Sequence, residues 1–254
     1  MRFIFKKCQQ IVCNIAELMS KLINTTPNYS PNFDPKKRNN TQIKFIIFHY
    51  TGMKTEREAI SRLTNIKSKV SCHYFIKNNG KILNLVPDPY TAWHAGISCW
   101  KNYRSINKYS LGIEISNSGH DHKYKKFSKK QIKSLIKLSK FLVKKYNIKP
   151  SFFLGHSDIS PVRKKDPGEK FPWKYLSKNK IGLWHNLNQK FIEKKRKINL
   201  EKKEKIKFFN NLFKIGYPKI KFAYDTKYTR LIVKAFQRRF RQELINGTVD
   251  LECL

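Results

Sequence analysis

The sequence predicts an α/β fold, a mixed central sheet flanked by helices, with a small helical domain at its C-terminal end. Short strand-like segments alternate with helical ones between residues 43 and 154. Two capping boxes mark where helices begin among them. From about residue 186 the chain changes to basic, amphipathic helices. Its 254 residues, 40% hydrophobic and 13% aromatic, suffice for one core of ordinary size and a smaller second one.

Met1–Lys7 is short and basic, but Cys8–Ile23 is broken by Gln9, Gln10, Asn14, Glu17 and Lys21. No apolar run of signal-peptide length survives, so this segment reads as a helix or a degenerate export signal. Neither Cys8, after Lys6-Lys7, nor Cys13, after Ile11-Val12, has the small preceding residue of a lipid-modified cysteine. No other stretch is long and apolar enough for a transmembrane helix. Residues 25–41, with three prolines, read as an extended lead-in, which assigns residues 1–40 to an extension and linker.

Ile43–Phe48 is apolar apart from Lys44, as a strand covered on both faces would be, and runs into His49-Tyr50-Thr51-Gly52. Thr55-x-x-Glu58 opens a helix to about Thr64. Val70–Ile76 alternates, with Val70, Cys72, Tyr74 and Ile76 opposite Ser71, His73 and Phe75. Asn78-Asn79-Gly80 then turns the chain into Lys81–Val86 as a hairpin. In Leu111–Ser116, Leu111, Ile113 and Ile115 share one face and Glu114 points to the other. Ser128-x-x-Gln131 opens a long amphipathic helix with Ile132, Leu135, Ile136, Leu142, Val143 and Tyr146, ended by Asn147 and Pro150. Ser151–Leu154 is the last strand and leads into Gly155-His156. Beyond it, Phe208, Phe209, Leu212 and Phe213 line one helix, and Tyr228, Leu231, Ile232, Ala235, Phe236 and Phe240 line another.

A formal charge of +37 raises nucleic acid as a partner. Lysine outnumbers arginine 43 to 11, however, and the lysines are spread along the chain with many Asn, Ile, Phe and Tyr. Bidentate phosphate and base contacts draw on arginine, so no specific nucleic acid is expected, only attraction to anionic polymers. Five cysteines at irregular spacings contain no CxxC pair, so neither a zinc ribbon nor a dense disulfide framework is indicated, while a Cys72–Cys99 bridge stays open.

His49 and His156 each follow an apolar strand, and Asp166 lies ten residues beyond His156 in a Pro- and Gly-containing loop. Two imidazoles and a carboxylate are a catalytic zinc set with one position left for water or substrate; on spacing alone, ordinary structural histidines are the more common reading. Glu114, alone on an otherwise apolar strand, is either a general base or part of an exposed polar face. Lys164, two residues before Asp166 on the same side of an extended segment, either faces an oxyanion or is a solvated charge.

The segments FHYTG (48–52), SCHYFI (71–76), AWHAGIS (92–98), LGIEISN (111–117) and GHSDISPVRKKDPGEKFPW (155–173) together resemble the AmpD-like N-acetylmuramoyl-L-alanine amidases, which share the fold of peptidoglycan-recognition proteins. The similarity covers roughly residues 40–185, implying a catalytic domain at 41–185 and a helical domain at 186–254. VKAFQRRFR (233–241) and NGTVD (246–250) resemble the AmiD-type branch, whose second domain is peptidoglycan-binding-like. With the sequence ending at Leu254, that domain is expected to lack a helix and expose apolar surface.

The resemblance implies zinc bound by His49, His156 and Asp166, Glu114 as proton acceptor and Lys164 as transition-state stabiliser. Tyr50, Thr51, Trp93 and His94 would line the substrate groove, His73 would be structural, and His120, His122 and His185 would lie on the surface. The expected substrate is peptidoglycan or a muropeptide, cut between N-acetylmuramic acid and L-alanine by a monomer. The alternative is a non-catalytic peptidoglycan-binding module, which would typically lack a ligand. The resemblance places the protein in the cell envelope, periplasm or outer membrane; the N-terminus argues for the cytoplasm, with membrane association only through an unrecognised lipid anchor.

Overall fold

The computed structural model describes residues 25–219 and 226–254, so the expectations for the first 24 residues, Cys8 and Cys13 among them, lie outside the described residues. The strands are β1 (Thr25–Pro27), β2 (Phe33–Asp34), β3 (Phe45–Tyr50), β4 (Tyr74–Ile76), β5 (Ile82–Asn84), β6 (Thr91–Ala92), β7 (Cys99–Trp100), β8 (Tyr103–Arg104), β9 (Ser110–Ile115) and β10 (Phe153–Gly155). Six of them form a mixed sheet in the order β1-β5-β4-β9-β3-β10, in which only the β4–β5 hairpin is antiparallel. The α/β class follows the alternation read from the sequence.

Both capping boxes form. Thr55 and Glu58 cap α1 (Glu56–Thr64), and Ser128 and Gln131 cap α2 (Lys129–Tyr146), which closes on Asn147 in the left-handed conformation. Helices α3 (His156–Ile159), α4 (Trp173–Lys178), α5 (Gln189–Glu193), α6 (Lys202–Ile215) and α7 (Lys227–Phe240) follow. Alternation along the central strands divides the core. Ile46, Phe48, Leu111, Ile113 and Ile115 face α2 through Leu135, Leu138 and Leu142. Phe45, Ile47 and Leu154 face the other way, onto Phe208, Phe209, Leu212, Ile232, Val233 and Ala235.

Three details depart from the sequence reading, and one that it left open is decided. The lead-in joins the structure: β1 lies parallel to β5 as the outer strand, and β2 pairs with β6. The strand expected over Val70–Ile76 is confined to Tyr74–Ile76, all three buried, because Ser71 N–H bonds to the Trp93 carbonyl instead of a sheet neighbour. The last strand starts at Phe153, since Pro150 opens a 3-10 turn over Pro150–Phe152. Cys72, Cys99 and Cys253 are free thiols, so no Cys72–Cys99 bridge forms.

The C-terminal helices share their apolar cluster with the sheet, and Phe213 and Tyr228 are left exposed. A buried ion pair fastens them. Arg239 of α7 donates to Asp158 of α3 at 2.5 Å and to the Phe153 carbonyl at 3.1 Å, with its guanidinium 4.0 Å from the Trp173 ring centroid. Tyr217 Oη–H donates to the other Asp158 oxygen at 2.5 Å. Removing the cation strands a carboxylate in the interior. Arg239→Ala should lose about 3–5 kcal/mol in urea unfolding, and Tyr217→Phe about 1 kcal/mol. An Arg239→Ala protein as stable as the wild type would contradict this role.

Candidate active site

The parallel pairing of β3 with β9 sets His49 beside Glu114 in register. Both belong to the sheet face that carries Phe45 and Ile47, because residues two apart along a strand share a side. On the other flank of β3, Gly155 of β10 pairs with Phe48, and the chain turns there into α3, whose first residue is His156. Asp166 comes back to the same place because Ser157 N–H donates to its carbonyl at 2.8 Å. The site therefore lies at the carboxyl ends of parallel strands, where open α/β sheets present ligands.

His49 Nδ1, His156 Nδ1 and Asp166 Oδ2 form a triangle with all three edges 3.0 Å. The residues are buried, and together they make a group that could hold a metal ion. The far nitrogens of both imidazoles are engaged elsewhere: His156 Nε2 lies 3.0 Å from the Ala95 carbonyl, and His49 Nε2 lies 3.0 Å from His94 Nδ1. Burial, reinforced by His156 and Lys164, lowers His49 to about 4. Burial alone would raise the Asp166 carboxyl, but the imidazoles of His156 and His49 beside it outweigh burial and hold it well below the usual carboxylate range.

Glu114 has the opposite environment. Its Oε2 is shielded from solvent and has no hydrogen-bond partner among the described residues. Burial and the nearby Asp166 charge push the carboxyl up to about 8, with Lys164 pulling the other way. A group poised near neutrality can both accept and return a proton.

A cavity of about 460 Å³ opens over these groups, and every site residue expected from the sequence lines it, Tyr50, Thr51, Trp93 and Lys164 included. Several have further duties. Trp93 indole N–H donates to Asp34 of β2 at 2.7 Å, so the former lead-in positions a groove residue. Thr51 Oγ1–H donates to the Asn117 carbonyl at 2.9 Å. His94 reaches the cleft wall but also backs His49, its ring T-shaped at 5.1 Å. His73 is structural as expected: it is buried, and its Nδ1 accepts from Gly112 N–H at 3.0 Å.

His120 is not a free surface residue. It stacks on Tyr124 at 4.6 Å, with Nδ1 2.8 Å from Tyr50 Oη and Nε2 2.9 Å from Glu169. His185 stacks on Trp184 at 5.0 Å. Arg62, Arg163 and Lys165 also line the cleft and were not singled out by sequence, where nothing separates them from the many other cations.

Glu114 gives a signed pH dependence. Its folded pKa, about 8, exceeds the ordinary 4.5, so the unfolded chain ionises first and stability falls as pH rises through that window. Glu114→Gln should match the metal-free wild type below about pH 4 and gain on it by about 1.4 kcal/mol per pH unit as pH rises from about 4.5 to about 8 in denaturant unfolding. A difference that does not change with pH would contradict the burial of this carboxyl.

The N-acetylmuramoyl-L-alanine amidase family, Amidase_2, matches residues 39–169. The amidase AmiD of Escherichia coli (strain K12) is 34% identical over 223 residues, covering 83% of this chain and 79% of the relative. The 1,6-anhydro-N-acetylmuramyl-L-alanine amidase AmpD of Haemophilus influenzae is 32% identical over 167 residues, 58% of this chain and 88% of its own. Among solved structures, E. coli AmiD in complex with the substrate anhydro-N-acetylmuramic acid-L-Ala-D-gamma-Glu-L-Lys superposes with a TM-score of 0.72 at 33% identity, covering 84% of this chain and 86% of that one. AmpDh3 from Pseudomonas aeruginosa gives 0.72 at 29% identity, covering 86% and 90%. With a shared fold, shared sequence and a buried His-His-Asp group in the matched region, this chain belongs to the N-acetylmuramoyl-L-alanine amidase family.

Proposed function

We propose that this chain hydrolyses the amide bond between N-acetylmuramic acid and L-alanine in peptidoglycan fragments with zinc held by His49, His156 and Asp166. The observation that carries this is the 3.0 Å triangle of ligand atoms beside an unpartnered Glu114 oxygen. Two imidazole nitrogens and one carboxylate oxygen suit zinc, and edges of this length let one ion sit ~2.0–2.2 Å from each atom. Zinc held there supplies Lewis acidity that polarises a carbonyl and acidifies water.

The remaining steps belong to the protein. Glu114, in register with His49, takes the proton of the attacking water and returns it to the departing L-alanine amine. Lys164 in the cleft opposes the negative charge that develops on the carbonyl oxygen. Arg62, Arg163 and Lys165 make the surrounding wall cationic, which suits the carboxylates of a stem peptide. The complexes of AmiD and AmpDh3, which hold an anhydro-muramyl tripeptide and an anhydromuramic pentapeptide, support this substrate class. A binding module without catalysis is disfavoured, since ligands, base and cation converge on one cleft.

Incubation with a muropeptide should release free stem peptide, a chelator should stop the release, and added zinc should restore it. Glu114→Ala should retain zinc and lose about 100- to 10,000-fold in turnover. Lys164→Ala should lose on the order of 100-fold, and His156→Ala should lose zinc and activity together. Near-normal turnover by the Glu114→Ala protein refutes the assigned proton acceptor.

A further inference from the structure

We propose that His94 and Ser110 form a hydrogen-bond relay, anchored on the Ile106 carbonyl, that fixes His49 in its Nε2–H tautomer and so leaves Nδ1 bare for the metal. The proposal rests on the metal reading above and assigns His94 as a positioning residue, acting through His49.

The direction of the relay follows from its far end. Ser110 Oγ lies 2.7 Å from the Ile106 carbonyl oxygen, which can only accept, so the hydroxyl proton points there. Ser110 Oγ is then an acceptor for His94 Nε2–H at 3.1 Å. His94 Nδ1, left without a proton, accepts from His49 Nε2–H at 3.0 Å. His49 Nδ1 is thereby the unprotonated nitrogen, and it is the atom that faces His156 Nδ1 and Asp166 Oδ2. The reverse wiring would turn the Ser110 hydroxyl toward His94. Two buried acceptor oxygens would then sit 2.7 Å apart with no proton between them, whereas the bare atoms of the forward wiring converge on the position proposed for a cation.

The surroundings are shaped to hold this ring. Gly112 leaves its niche on the sheet: a Cβ there would lie 2.4 Å from His94 Cγ. The backbone is pinned as well, since Asn107 Oδ1 accepts from the N–H groups of His94 at 3.1 Å and Ala95 at 2.7 Å. The adjacent Ala95 carbonyl performs the same service for His156 directly, taking its Nε2–H and leaving its Nδ1 bare. Two consecutive residues therefore set the tautomer of both ligand imidazoles, one by side chain and one by main chain. Outer partners of this kind are typically worth 10–100-fold in metal affinity.

Nitrogen-15 NMR of the imidazoles in the metal-free wild type reads the tautomers without reference to metal or activity. The expected result is Nε2–H on His49 and on His94; Nδ1–H on His49 overturns the proposal. Zinc affinity, by competition with a chelator, is then compared for two variants whose folding is checked by thermal unfolding. His94→Phe fills the niche without a polar atom and should weaken zinc by about 10–100-fold. His94→Asn returns an acceptor oxygen near the Nδ1 position and should recover most of that loss. Wild-type affinity in His94→Phe overturns the relay. Should that variant not fold, Ser110→Ala serves instead: loss of a single His49 tautomer supports the relay, and an unchanged spectrum overturns it. Failure of the wild type to bind zinc would refute the metal reading separately, because the tautomer result is obtained without the ion.

Discussion

The parallel register of three strands, β9-β3-β10, is the constraint on which the site depends. It sets Glu114 level with His49 and Gly155 level with Phe48, so the proposed proton acceptor, one member of the His-His-Asp group and the turn to the second arrive at one sheet edge. A slip of one residue in β9 would turn Glu114 into the apolar layer over α2 and bring Ile113 or Ile115 to the cleft. The register is held from both sides, since the same strands alternate between two apolar clusters that leave no exposed face for a slip to exploit.

Within that frame, two carboxylates a few residues from one another in space are driven in opposite directions. Asp166 lies against both imidazoles and is kept ionised, as its proposed role as a ligand requires. Glu114 has the same burial without the partners, and is kept near the point where it can exchange a proton. The difference is one of neighbours and not of residue type, a general way for a single fold to obtain both a ligand and a proton carrier from acidic side chains.

Much of this was legible in the sequence, for identifiable reasons. His49 and His156 stand at the ends of apolar runs, and the parity of Leu111–Ser116 set Glu114 apart from its neighbours. The motif spanning residues 155–173 pointed to the family that the fold and comparisons show. What escaped depends on partners distant along the chain. Thr25–Pro27 is a strand only because β5 receives it, and its proline argues against pairing. His94 reads as a groove residue because nothing local reveals that Ser110 lies behind it, although a glycine inside the Ser110–Ile115 strand is a trace of the ring it accommodates. The stripes of α6 and α7 gave the apolar faces of these helices but not their destination, the second face of the sheet.

The Asp158 carboxylate accepts from Arg239 and Tyr217 and also from Gly155 N–H at 2.8 Å, the residue directly before His156. This wiring bears on modularity. A rearrangement that joined the sheet to a different C-terminal segment would have to supply a new cation for Asp158, or lose that acid as well. The C-terminal helices are thus wired to the strand end that carries His156, and not merely packed against the sheet.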